Sequence, residues 1–465
     1  MSPSIVSSSS PSRPFSPSHR LLTVGLLCAS SAMAFEYMGV GTVMPATAEQ
    51  LGGMHSYGLA FSTFTLAQIM GSAIIGKGDA QFGTRTLFTA GTLLFLVGCV
   101  LGALAPSWWL FLIARSAQGL GAGGISGVCF ILVAKQYPES ASAAMMAWLS
   151  AAWTIPGLIG PTIAGALAER LGWRSVFWAI VPFVAMAWPM AMSSIEPTPA
   201  PSTLRAEAPA SRLRDNVIVQ SAALTLGIAL VFSAQGQVPW VGYVLTAAGV
   251  ALGLWGFARV MPKGTLKFAE GAPSALWARF LISAGYLGSE TFVPLGFTHV
   301  RGLSLTRAGL SLSVGAISWV AGSSLQARTG SNDRAQRRNA IAGALLLFVG
   351  VSGIGAACTL TEVPVFLGVL GWAIGGFGTG LSLNAVVSGA LARADEDDKS
   401  VVAGALQIVQ SLATALFSGL GTAWLEMGLE RGQTMARGLS SLFIIAAVGS
   451  LFAVPLSFRT WKRRV

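Results

Sequence analysis

The stretch AMAFEYMGVGTVMP, residues 32–45, holds one carboxylate, Glu36, in a run otherwise built from apolar and small side chains. No other charge occurs between Leu21 and Met44. At about 1.5 Å per residue, a helix of that length crosses a hydrocarbon core about 30 Å thick. The stretch therefore reads as a membrane-spanning helix with an acid inside it. The rest of the chain agrees: 53% of its 465 residues are hydrophobic and 10% charged, with a mean hydropathy of +0.67, whereas a soluble domain carries about a quarter charged residues. The net charge of +11 comes from basic residues spread singly and in short clusters between apolar runs. Cytoplasmic loops look like this, so the expected partner is the lipid bilayer and not nucleic acid.

Cys28, Cys99, Cys129 and Cys358 fall within apolar runs without metal or redox spacing, and His19, His55 and His299 lie far apart. Neither a metal nor a cofactor is expected. There is no P-loop and no Gly-x-Ser-x-Gly elbow, so a primary pump or a membrane hydrolase lacks its chemistry and the chain is not expected to be an enzyme.

Residues 1–20 are rich in Ser and Pro and read as a disordered cytoplasmic tail. After the first span, further spans are expected near 57–76, 86–105, 108–134, 142–168 and 175–194, completing a bundle over 21–194. A polar linker follows at 195–216, then two inserted runs within 217–259 joined by the turn QGQV, residues 235–238. Six more spans are expected near 274–297, 306–326, 339–358, 363–391, 401–424 and 438–458, giving a second bundle over 260–458 and a basic tail at 459–465. With the N-terminus inside, the outer loops hold only Arg170, Arg174, Arg301, Arg307, Arg431 and Arg437, while most other Lys and Arg residues fall on the inner side. Both termini are thus expected in the cytoplasm.

The two bundles repeat. The fourth span reads RSAQGLGAGGISG from Arg115 and its counterpart reads WAIGGFGTGLSLN from Trp372. At one constant offset Gly119, Gly121 and Gly123 fall on Gly376, Gly378 and Gly380, and Glu169 falls on Glu426. Glycines this dense let helices approach closely, and related halves that rock about a central site are a transporter architecture.

On these residues the chain resembles the major facilitator superfamily, in particular its drug:proton antiporter branch with fourteen spans. Glu36 and Pro45 match the opening motif of that branch. RSAQGLGAGG matches the fourth-span motif at Arg115, Gln118, Gly119 and Gly121. PGLIGPTIAGA resembles the antiporter signature at Gly160, Pro161 and Gly165, with Ala151 and Ala164 in place of two glycines. The loop GKGDAQFGTRT fits at Gly76, Gly83 and Arg85, but Ala80 takes the place of the usual aspartate and Asp79 lies one residue early. The resemblance implies a fold of two six-helix bundles with two extra helices inserted between them. It also implies an inner gate built on that loop and a role for Arg115 in proton transfer or in tuning nearby acids.

Burial in hydrocarbon makes a carboxylate's charge costly, so Glu36 is a candidate to carry a proton, with a purely structural hydrogen-bonding role as the alternative. Arg115 either pairs within the membrane or extends its stem to the inner headgroups. Glu290, in YLGSETFVPLG, occupies the first span of the second bundle as Glu36 does in the first, so the two acids either face one central cavity, attracting cationic substrates and holding protons, or have separate jobs. Phe35, Tyr37 and Phe292 flank these acids, where aromatic rings either stack on a flat cation or simply pack. Asn384 and Gln407 are either cavity groups or ordinary interhelical contacts. The expected function is proton-coupled export of amphipathic or cationic small molecules by alternating access across a bacterial inner membrane. Transport of a native metabolite or lipid, or a non-transporting sensor with this fold, remains open.

Overall fold

A computed structural model describes residues 14–17, 19–195, 217–234, 239–329, 332–395 and 398–462. The side chains of residues 76–81 and of scattered other helical positions lie outside that description. So do most of the expected N-terminal tail, nearly all of the 195–216 linker, the 235–238 turn and residues 463–465.

The described chain is all-α. In a bilayer every backbone polar group must be satisfied within the segment, and helices do this. The first bundle comprises α1 (Arg20–Leu51), α2 (Leu59–Phe82), α3 (Thr84–Leu104), α4 (Trp108–Gln136), α5 (Glu139–Leu171) and α6 (Arg174–Met192). A hairpin of α7 (Val217–Ser233) and α8 (Pro239–Val260) follows. The second bundle comprises α9 (Ala272–Ser283), α10 (Val293–Leu295), α11 (Leu305–Ala327), α12 (Asp333–Thr359), α13 (Val365–Leu391), α14 (Lys399–Glu430), α15 (Met435–Leu451) and α16 (Ala453–Thr460). Among the described residues, 11 helices are long and apolar enough to cross a membrane, and Leu59–Ile75 and Ile218–Ser233 are shorter apolar stretches.

Three expectations need correction. The 274–297 span is not one helix: π-helical turns at Ala284–Gly288 and Gly296–Val300 flank the short α10. Gly285, Gly288 and Gly296 weaken the helix, and Pro294 cannot donate to the carbonyl four residues back. The 438–458 span is divided at Phe452 between α15 and α16. The loop expected between the second and third spans shrinks to Gly83, whose φ of +78° is open to glycine and strained for other residues. Several helices also outrun their expected spans. Hydropathy marks only the part in hydrocarbon, whereas α12 starts at Asp333, capped by the Asn332 side chain accepting from Arg334 N at 3.0 Å.

Contacts between helix ends fix how the chain alternates across the membrane. At the end where α1 begins, called inner here, His19 Nε2 lies 2.9 Å from Gln136 O, Arg393 pairs with Asp333 at 2.8 Å, and Lys462 pairs with Glu270 at 2.6 Å. At the outer end Arg174 donates to Ala105 O at 2.8 Å, and Trp173 donates to Gln50 Oε1.

The repeated glycines do the same work in both bundles. Gly119 and Gly123 rest on the backbone of α2 at Phe64 and Gln68, and Gly121 rests on α3 at Gly91 and Phe95. Their counterparts Gly376 and Gly380 rest on α11 at Gly315 and Trp319, and Gly378 rests on α12 at Gly343. A methyl group at Gly121 or Gly378 meets backbone atoms that cannot turn away. Gly121→Val and Gly378→Val are each expected to lower stability by about 1–3 kcal/mol or more, the range for overpacking. Thermal unfolding in detergent micelles checks this, and wild-type midpoints for both variants would refute it.

The bundles meet along two seams, α2 against α14 and α5 against α11, and the α7–α8 hairpin lies beside the first of these.

Candidate transport site

Glu36 on α1 and Arg115 on α4 are buried and form an ion pair through Oε1 and Nη1. Two further hydrogen bonds hold Arg115: Nε donates to Ala60 O at 3.1 Å and Nη1 to Gln118 Oε1 at 2.9 Å, while the guanidinium stands 4.5 Å over the Phe64 ring. Gln118 donates onward to Cys99 Sγ at 3.5 Å. Glu36 Oε2 has no hydrogen-bond partner among the described residues. The alternative in which Arg115 extends its stem to the inner headgroups is overturned: α4 enters from the outer side, and the guanidinium pairs with a buried carboxylate that offsets its charge in hydrocarbon.

Arg115 also lines a cavity of about 20 Å³ between the bundles, room for about one water. Tyr37, Gly41, Phe61 and Phe64 line it from the first bundle, and Leu287, Glu290, Thr291 and Thr414 from the second. Glu36 does not line it and stands behind Arg115. Glu290 faces the cavity from the point where the expected span breaks up. The freed carbonyl of Thr291 accepts from Tyr57 Oη at 2.9 Å, across the bundle boundary. On the other side, Pro45 leaves the carbonyl of Gly41 without its helical donor. Interrupted helices lining a central site are a recurrent transporter device.

The outer end of the molecule is shut. Gly58 N donates to Thr422 Oγ1 at 2.8 Å, Ser62 Oγ to Ala415 O at 2.7 Å, and the hydroxyls of Thr162 and Ser313 lie 3.0 Å apart. Glu169 accepts from Thr306 N at 2.7 Å, closing the start of α11 onto the end of α5. Of the expected antiporter signature, Gly165 rests on Leu305 and Thr306, the Pro161 carbonyl lies under Gly309, and Gly160 faces Phe35. Pro161 and Gly165 thus lie along the α5–α11 seam and Gly160 against α1, and none of the three lines the cavity.

The remaining expected residues are placed as follows. Gly119 and Gly121 are packing contacts. Gly83 is the α2–α3 connection, and Arg85 is exposed. The side chains of Gly76 and Asp79 lie outside the described residues. Of the three aromatic residues, only Tyr37 lines the cavity; Phe35 packs against Gly39 and Gly160, and Phe292 is buried beside Phe417 and Gly421. Asn384 and Gln407 are both exposed and line no part of it.

Two features escaped the sequence reading. Arg279, on α9, donates from Nη2 to Gln410 Oε1 at 2.6 Å, but its Nε is buried without a partner, and no carboxylate pairs with it among the described residues. Besides Arg115 it lies deeper inside an expected span than any other Lys or Arg, which is the signal that would have found it. The second feature is Trp372, which the repeat places where Arg115 stands in the first bundle. It stacks on Tyr286 with ring centroids 4.3 Å apart. The pseudo-symmetry of the backbone therefore carries a charge in one half and an aromatic stack in the other.

Fold and site together define a helical membrane transporter of two related halves around a small central cavity that holds Arg115 and Glu290. The chain belongs to the Major Facilitator Superfamily, whose description matches residues 26–418. It is similar to a Mycobacterium tuberculosis protein named "Probable multidrug-efflux transporter", at 23% identity over 89% of each chain. It is also similar to the drug efflux pump JefA of the same organism, at 29% identity over 81% of this chain and 74% of the pump. Among solved structures, it superposes on the xylose transporter XylE of E. coli in a partially occluded inward-open conformation with a TM-score of 0.62, at 15% identity, over 94% of this chain and 96% of that one. A bacterial homolog of the human lysosomal transporter Spinster, inward-facing and occupied, gives 0.63 at 16% identity over 96% and 97%. At such identities these structures establish the fold alone.

Proposed function

We propose that the protein is a proton-coupled exporter of amphipathic, cationic small molecules, working across the plasma membrane with fourteen spans and both termini in the cytoplasm. The observation that carries this reading is the placement of Arg115, paired with Glu36 behind it and sharing a cavity with Glu290 of the other bundle. With Glu36 neutralised, Glu290 is the carboxylate left to receive a cation. A substrate cation entering from the inner side occupies Glu290, the bundles rock, and the α2–α14 and α5–α11 seams part at the outer end. A proton arriving from outside then displaces the substrate by neutralising the same carboxylate. The protonated carrier closes again and releases the proton inside. Exchange of one proton for one monovalent cation moves no net charge, so the pH gradient drives the substrate outward, at about 1.4 kcal/mol per pH unit. Similarity to drug-efflux proteins supports this substrate class.

Arg279 favours a second reading, in which the chain moves a native metabolite carrying an anionic group. The experiment that separates the two is accumulation of cationic and anionic fluorescent dyes in cells lacking their main exporters, with and without an uncoupler. Exclusion of cationic dyes that collapses with uncoupler supports the proposal. Exclusion of anionic dyes alone, weakened in Arg279→Gln, supports the second reading, and exclusion of neither class overturns drug export.

A further inference from the structure

A second and larger cavity lies away from the transport site, between the α7–α8 hairpin and the second bundle. It has a volume of about 300 Å³ and is lined almost wholly by apolar side chains from α7, α8, α9 and α14, with Thr265 and Leu266 at its inner end. It is open on its flank, where the lining residues Val250, Leu254 and Leu420 are 46%, 54% and 46% exposed. Along α14 it extends from Val409 to Leu420, about 16 Å at 1.5 Å per residue. Half of a hydrocarbon core about 30 Å thick is about 15 Å, the depth of one leaflet. An apolar cleft of this length facing the bilayer matches one acyl chain of an inner-leaflet lipid.

The inner mouth of the cleft is basic. Arg259, Lys263 and Lys267 are all exposed around the segment that closes it, and none of them pairs with a carboxylate among the described residues. Glu270, in the same segment, is taken by Lys462. That segment is held in place by Trp277, which donates from Nε1 to Thr265 O at 2.8 Å and stacks on Phe268 at 4.8 Å. Leu266 and Phe268 are exposed beside the lysines, the pairing of apolar anchors and cations found at a membrane interface.

We propose that this cleft is a binding site for an anionic phospholipid of the inner leaflet, with one acyl chain between the hairpin and α14 and the headgroup phosphate on Arg259, Lys263 and Lys267. The site gives the inserted hairpin a role: it holds a lipid beside the α2–α14 seam. It stands independently of the transport reading.

The test is native mass spectrometry of the full-length protein, purified in mild detergent and equilibrated with an equimolar mixture of phosphatidylglycerol and phosphatidylcholine. The wild type is expected to retain one phosphatidylglycerol with about a hundredfold preference, the product of about fivefold from each of three cations. Each cation replaced among Arg259→Gln, Lys263→Gln and Lys267→Gln is expected to lower that preference about fivefold, so the triple variant keeps lipid without distinguishing headgroups. Leu254→Trp fills the cleft from its exposed flank and is expected to lose both lipids. Val250→Phe serves the same end should the tryptophan variant fail to fold. Absence of retained lipid in the wild type overturns the proposal, as does a preference unchanged in the triple variant or wild-type retention in a folded cleft-filling variant.

Discussion

Arg115→Met is expected to destabilise the protein by about 3–5 kcal/mol, because removing one partner of a buried ion pair leaves the other charge without compensation. Glu36 is 0% exposed and its second oxygen already lacks a hydrogen-bond partner among the described residues, so nothing nearby can absorb the loss. The double variant Glu36→Gln/Arg115→Met removes both charges and is expected to recover most of that stability, since neutral replacements of a buried pair are often tolerated. Thermal unfolding in micelles of the wild type, both single variants and the double variant gives the coupling energy of the pair. A single variant as stable as the wild type would mean that the pair is not the main counter-charge of Arg115. Transport is expected to fail in all three variants, which separates the role of the pair in holding the helices from its role in moving a substrate.

Glu290→Gln is expected to do the reverse, leaving stability near that of the wild type and abolishing the dependence of transport on protons. In the wild type, lowering the external pH should accelerate efflux, because more protons are available to displace substrate from Glu290 once the outer end opens. In the glutamine variant the response should be flat and uphill export should fall at least tenfold, as expected when a group required in the driving step is lost. Exchange of labelled for unlabelled substrate should persist, since that process needs no net proton movement. Efflux from loaded vesicles across a series of external pH values reads both quantities. A variant that keeps the wild-type pH response would assign proton coupling to Glu36.

What the sequence made legible was whatever rests on composition and on backbone proximity. Helical spans follow from hydropathy, and the glycine repeat from Gly119 and Gly376 was readable because close helix packing demands the absence of a side chain, a requirement visible at a single position. The acids and Arg115 stood out individually because charge in hydrocarbon is rare. Their pairing was not legible: Glu36 and Arg115 are 79 positions apart on helices whose adjacency no local spacing encodes. The break before Glu290 was half visible in Pro294 and its neighbouring glycines, but an average over hydropathy smooths across it. Arg279 was missed for a similar reason, since one cation near the start of an apolar run barely lowers its mean. The stretch from Pro156 to Ala166 was legible as a motif, yet the place of Pro161 and Gly165 along a seam needed the packing of α5 on α11.

The seam between α2 and α14 has a property that bears on how easily the protein changes state. Ser62 Oγ, which reaches across to Ala415, also lies 3.1 Å from Gly58 O in its own helix. Ser418 has Thr414 O at 2.8 Å, and Thr422 has Ser418 O at 2.9 Å. When the two helices separate, each hydroxyl keeps an acceptor one turn away, so no side-chain donor there is stranded in a dry environment, where each unmade bond costs about 1–3 kcal/mol. The contact behaves as a reusable fastening: its hydroxyls favour neither position strongly, and the balance between shut and open is left to the Gly58 N–H, which gives up Thr422 Oγ1 on opening, to packing and to whatever occupies the cavity.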